Sequence, residues 1–117
     1  MKSKKDIKRE YKERPKQGGV FQIKNTQNGK VFLGSSLNPE GFLNRQKFQL
    51  KLGQHKNKTL QQEWTEFGEE NFLFEILDMV EDKDEPGFDF DDELTLLEQI
   101  WLEKLQPFGE KGYNTAS

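Results

Sequence analysis

Four polar side chains in this sequence sit where their types and spacing could do chemistry: Glu98, Arg45, His55 and Asn114. Glu98 stands four residues after Leu94 and four before Leu102, inside the apolar stripe Leu94, Leu97, Trp101, Leu102, Leu105 of a helix that Pro107 ends. Desolvation disfavours a carboxylate against apolar surface unless a cation or donors compensate it, which is the usual setting of metal-ligand and acid–base carboxylates. The same spacing also fits a glutamate at the stripe's edge that reaches water. Arg45 lies three residues from both Phe42 and Phe48, so its stem is expected on the inner helix face with its guanidinium emerging above a sheet. That planar fork suits two phosphate oxygens and charge growing on phosphorus, or equally an ion pair with a carboxylate such as Glu98. His55, in GQHKNK among Lys51, Lys56 and Lys58, can shuttle protons or touch a phosphate, or be a plain exposed loop residue. Asn114, after Gly112-Tyr113, can orient a water or phosphate, or form a turn.

Composition narrows the chemistry these residues can serve. The 117 residues contain no cysteine and one histidine, which excludes disulfides, thiolate catalysis, zinc fingers, iron–sulfur sites and any two-histidine metal site. No Walker-type glycine loop and no Ser/His/Asp spacing is present. No apolar run approaches the roughly 18 residues a membrane helix needs, and MKSKKDIKRE lacks a signal peptide's apolar stretch, so a cytoplasmic location without membrane contact is expected. The net charge of −3 hides an asymmetry: residues 1–58 hold 15 Lys/Arg and 4 Asp/Glu, residues 59–117 hold 3 and 17. The basic half can attract a polyanion, because local field guides a phosphate backbone, or the two halves can pair with each other.

The elements that must position the four residues follow from periodicity. Residues 1–17 read as a basic arm and 18–117 as one domain. VFQIKN alternates as a half-buried strand, Asn28-Gly29 suits a tight hairpin turn, and Val31-Phe32-Leu33-Gly34 is the return strand. Asn38-Pro39 starts a helix running through Phe42, Leu43, Phe48 and Leu52 to Gly53; a second helix spans about Thr59 to Phe67. Asn71 to Val80 alternates as a third strand, residues 81–93 form an acidic loop or helix start, and a last helix runs from Leu94. The order β-β-α-α-β-α predicts an α+β fold, a three-stranded antiparallel sheet flanked by helices.

With these elements in place, residues 18–115 resemble the GIY-YIG nuclease family. Gly19-Val20-Phe21 stands for G-I-Y and Phe32-Leu33-Gly34 for Y-I-G; NRQKF, HKNKTLQQEW, FLFEIL, LLEQIWLEKL and GYN resemble the family's later segments in order. The resemblance implies a metal-dependent DNA endonuclease in which Arg45 contacts phosphate, Glu98 is the sole carboxylate ligand of one Mg2+ or Mn2+, Asn114 is the closing asparagine and His55 matches a less uniform position. It also implies that a tyrosine accepts or relays the proton of the attacking water. Here both tyrosine positions are phenylalanine, Phe21 and Phe32, and the position one turn after the arginine is Gln49. The expectation is slow phosphodiester hydrolysis, with Arg45, Lys47, Lys51, Lys56 and Lys58 on the DNA backbone and with Glu98 and Arg45 converging over the sheet. The alternatives are a catalytically inactive nucleic-acid-binding relative and an adaptor using the acidic residues 78–93. Target preference and oligomeric state leave no mark in the sequence.

Overall fold

The structure, a computed structural model, describes residues 17–83 and 85–115. The expected basic arm lies outside the described residues except Gln17, which already opens the first strand. Strand β1 (Gln17–Asn25) and strand β2 (Val31–Ser36) form an antiparallel hairpin. Its turn is wider than a two-residue Asn-Gly turn. Asn25 N–H donates to the Lys30 carbonyl at 2.9 Å, Gly29 N–H donates to the Asn25 carbonyl at 2.8 Å, and of the pair only Gly29 takes a positive φ, 78°. Asn28 instead spends its amide on Glu63 and on Lys30 N–H.

Helix α1 (Pro39–Lys51) begins where Asn38 and Pro39 mark it, the Asn38 side chain accepting from Gly41 N–H at 3.1 Å. Its inward stripe differs from the expected one. Leu43, Gln46 and Leu50 are buried, while Phe48 and Leu52 are 61% and 55% exposed and Arg45 is exposed as well. Apolar residues are spread around this helix, Leu43 and Leu50 on one side and Phe48 on another, so composition leaves its rotation open. The polar Gln46 faces inward because it has a partner there, His55.

Helix α2 (Lys58–Phe67) is capped by Asn57, whose side chain accepts from Leu60 N–H at 3.0 Å. Strand β3 (Phe72–Glu81) follows, and helix α3 spans Phe90–Leu105. Helix α3 starts a turn before Leu94. Asp89 caps it and Asp91, Asp92 and Glu93 fill its first turn, where the helix dipole favours negative charge, so part of the acid run is helix.

The sheet order is β2-β1-β3, antiparallel throughout, which with the helices makes the fold α+β as expected. Alternation along β1 divides the core in two. Phe21 and Ile23 pack with Leu43 and Leu50 of α1, Leu60 and Trp64 of α2, Phe72 and Tyr113. Val20, with Val31 and Leu33 of β2, packs on the other face against Leu97, Trp101, Leu102 and Leu105 of α3. Helices α1 and α2 thus cover one face and α3 the other. Leu77 is an extra residue on β3, because Val20 pairs with Asp78 but Phe21 pairs with Ile76. The bulge turns Leu77 into the α3-side core. Gly19 lies beside it, where a Cβ would come within 2.6 Å of the Asp78 carbonyl oxygen. Among the described residues no helix is long and apolar enough to cross a membrane.

Candidate active site

A hollow of about 470 Å³ opens on the α1 side of the sheet, lined among others by Phe32, Phe42, Arg45, Gln49, His55 and Lys56. Helix α1 brings Arg45 to its rim, one turn from the exposed Phe48. Among the described residues Arg45 takes part in no salt bridge, so the alternative of an ion pair with Glu98 is not what this fold contains. Lys47 and Lys51 both approach Glu69, at 3.3 and 3.4 Å. All three groups are well exposed, so these pairs are weak. Lys56 lines the hollow and Lys58 is exposed at the start of α2.

His55 is buried, at 8% exposure, rather than an open loop residue. Its Nδ1 accepts from Asn57 N–H at 3.0 Å, so its Nε2 must carry the hydrogen that it donates to Gln46 Oε1. The Gln61 side chain fixes its backbone N–H at 2.9 Å, and the Phe32 ring meets the imidazole edge to face at 5.9 Å. Burial lowers the pKa of this ring, and protonation would break the bond from Asn57. The imidazole is therefore neutral with both nitrogens engaged, and in this arrangement it has no lone pair to take a proton.

The two phenylalanines at the signature positions differ in access. Phe21 is 1% exposed, packs on Phe42 at 5.0 Å, and lies over Gly34, where a Cβ would be 2.8 Å from the Phe21 Cζ. Phe32 is half-buried and lines the hollow. A hydroxyl added at Phe32 would stand at the hollow's wall, whereas one added at Phe21 would extend from an atom that is already enclosed.

Glu98 belongs to the other face. It is half-buried on α3, one turn from Leu94 and one turn from Leu102, and among the described residues it joins no salt bridge. Leu102 lines a second hollow, of about 340 Å³, together with Asn114 and Thr115. Thr115 also lines the Arg45 hollow. Between the two, Asn114 closes the free edge of β2: its Oδ1 accepts from Leu33 N–H at 2.8 Å and its Nδ2 donates to the Leu33 carbonyl at 2.7 Å. Asn114 thus acts as a strand partner, with one amide N–H left over. Glu98 lines neither of these two hollows, and its helix α3 covers the face of the sheet opposite α1, which carries Arg45.

A further polar cluster escaped the sequence. Glu63, 9% exposed on α2, accepts at Oε1 from Asn25 (3.1 Å), Asn28 (2.5 Å) and the Tyr113 hydroxyl (2.9 Å), and at Oε2 from Lys30 (3.2 Å). Desolvation pushes its carboxyl up, but the bonds from Asn28, Tyr113 and Lys30 together with the Lys30 charge outweigh it and hold the pKa below the usual carboxylate range. Burial, then the bond to Glu63 and its charge, push the Tyr113 phenol well above its ordinary 10, so it stays protonated as a donor. The cue in the sequence was only that Glu63 lies three residues after Leu60 and adjoins Trp64, on the inward flank of α2.

The sheet with α1 and α2 on one face and α3 on the other makes a small α+β domain with a basic rim beside a capped sheet edge. The fold is similar to the catalytic domain of homing endonuclease I-TevI, with a TM-score of 0.65 and 31% identity, covering 86% of this chain and 99% of that one. It is similarly close to a glutamate-to-alanine mutant of the catalytic domain of intron endonuclease I-TevI, with a TM-score of 0.67 and 29% identity over 86% of this chain and 94% of that one. No family model and no curated protein matches the sequence. The chain belongs to the GIY-YIG nuclease family.

Proposed function

We propose that this protein is a divalent-metal-dependent DNA endonuclease whose substrate backbone crosses the free edge of β2. The observation that carries the reading is the match to 99% of the catalytic domain of a homing endonuclease. Arg45 binds the phosphate from the α1 side, where its guanidinium has no carboxylate partner among the described residues. Lys56 and Lys58 hold the flanking backbone, and Lys47 and Lys51 are drawn from Glu69 onto it.

No group of three or more His, Asp or Glu able to hold a metal exists among the described residues. A single carboxylate, Glu98, would hold a hard ion such as Mg2+ or Mn2+, which binds through one or two carboxylates, and it does not fit a preformed cage. When bound, such an ion supplies charge stabilisation at the scissile phosphate. Water attacks phosphorus and the bond to the leaving oxygen breaks. The His55 ring and the Tyr113 hydroxyl are both engaged, and Phe21 and Phe32 offer no oxygen, so the proton leaves to solvent. Absence of a general base costs about 10² to 10⁴ in rate.

The same engaged acceptors favour one second reading, a relative that binds DNA without cutting it. The deciding experiment incubates supercoiled plasmid with the protein and Mg2+ or Mn2+, with EDTA as control, and measures DNA binding in parallel across a salt series. Metal-dependent nicking supports the nuclease. Salt-sensitive binding with no nicking over long incubation supports the second reading, and absence of both rejects the two together.

A further inference from the structure

The Tyr113–Asn114 segment reaches the edge of β2 through a chain of hydrogen bonds that starts at a carboxylate on a different helix. Tyr113 N–H donates to the Val31 carbonyl at 2.9 Å, and Gly112 bridges Val31 in parallel, so the segment runs beside β2 as a short added strand. Asn57 Nδ2 donates to the Tyr113 carbonyl at 2.6 Å, and Asn114 N–H donates to the Pro107 carbonyl at 3.0 Å. The Tyr113 side chain anchors it by running inward to Glu63, which also holds Asn25, Asn28 and Lys30 of the hairpin that carries Leu33. One carboxylate therefore grips both partners of the Asn114–Leu33 pair.

We infer that Glu63 is a positioning residue: acting through Tyr113, it sets Asn114 against Leu33 and so fixes the free edge of β2. Its relevance to cleavage rests on the nuclease reading above, but the positioning itself does not. A bystander carboxylate would need no such bond, whereas here three donors from two chain segments converge on a single oxygen of Glu63. Buried donors of that kind lose their partner outright when the acceptor is removed.

Amide hydrogen exchange tests this, because Leu33 N–H at an open strand edge is protected by Asn114 Oδ1. In Glu63→Ala, and in Tyr113→Phe should the first fail to fold, Leu33 exchange is expected to accelerate at least about tenfold while the amides of the central strand β1 keep their rates. Glu63→Gln retains a carbonyl oxygen for Asn25, Asn28 and Tyr113 and is expected to restore protection. If wild type cleaves DNA, Tyr113→Phe lowers kcat by up to about 10²-fold at unchanged KM. Unchanged Leu33 exchange in the folded variants, or acceleration equal to that of the β1 amides, overturns the proposal. Failure of wild type to cleave bears only on the nuclease reading, since the exchange measurement needs no activity.

Discussion

Asn114 satisfies both main-chain groups of Leu33, accepting from its N–H at 2.8 Å and donating to its carbonyl at 2.7 Å. Leu33 sits on an edge strand, so these two bonds do what a fourth strand would do. Replacing Asn114 with Ala should leave two edge groups without their partner and lower stability by about 1–3 kcal/mol in urea unfolding. Asn114→Asp keeps the acceptor but sets a carboxylate oxygen against the Leu33 carbonyl, and should rescue only part of the loss.

Gly112 admits the close passage of this segment past Pro107. A Cβ at Gly112 would lie 2.1 Å from the Pro107 carbonyl oxygen, a main-chain atom that cannot swing aside. Gly112→Ala should therefore displace Asn114 and destabilise the fold by about 1–3 kcal/mol or more, read from the urea midpoint at unchanged slope.

His55 gives the fold a measurable pH dependence. Its folded-state pKa lies below the ordinary 6.5 because burial disfavours the charged ring. Above that value the ring is neutral in both folded and unfolded chains and contributes no slope. As pH falls between 6.5 and the lowered value, the unfolded chain takes up a proton that the folded chain refuses, so stability falls with falling pH. Urea unfolding from pH 7.5 to 5.5 should show this decline, and His55→Gln should flatten it.

The two signature phenylalanines should respond differently to a restored phenol. Phe32→Tyr places a hydroxyl at the wall of the Arg45 hollow and should raise metal-dependent cleavage, by up to about 10² to 10⁴ if it serves as the missing acceptor. Phe21→Tyr encloses a hydroxyl beside Gly34 and Phe42 and should lower stability by about 1–3 kcal/mol unless the site opens to hydrate it. Single-turnover cleavage and urea unfolding of the two variants separate these effects.

Much of this architecture was legible in the residues because local signals agreed. Asn38-Pro39 marked the start of α1, Gly68 closed α2, and alternating Phe72, Phe74 and Ile76 marked β3. Three features were not, each for a physical reason. The rotation of α1 was hidden because Phe48 and Leu52 are apolar yet exposed, while the polar Gln46 is buried. The early start of α3 was left open between loop and helix, because a capping aspartate with an acidic first turn looks like a solvated loop. Glu63 was invisible because its donors come from a turn and from residue 113, distant in sequence and joined only by the fold. Arg45 and Glu98 could be picked out as residues, but not the faces they occupy, since periodicity places a side chain on its helix and not a helix on its sheet.

In the proposed nuclease reading Arg45 and Glu98, on helices that cover opposite faces of the sheet, act on one phosphodiester. The direct measurement is single-turnover cleavage of a DNA duplex in Mn2+ by wild type, Arg45→Ala, Glu98→Ala and the double variant, each shown to be folded. Each single variant should lose nearly all cleavage and the double variant little more, because both act on the same transition state. Undiminished cleavage by Glu98→Ala or by Arg45→Ala would contradict a site built across the β2 edge.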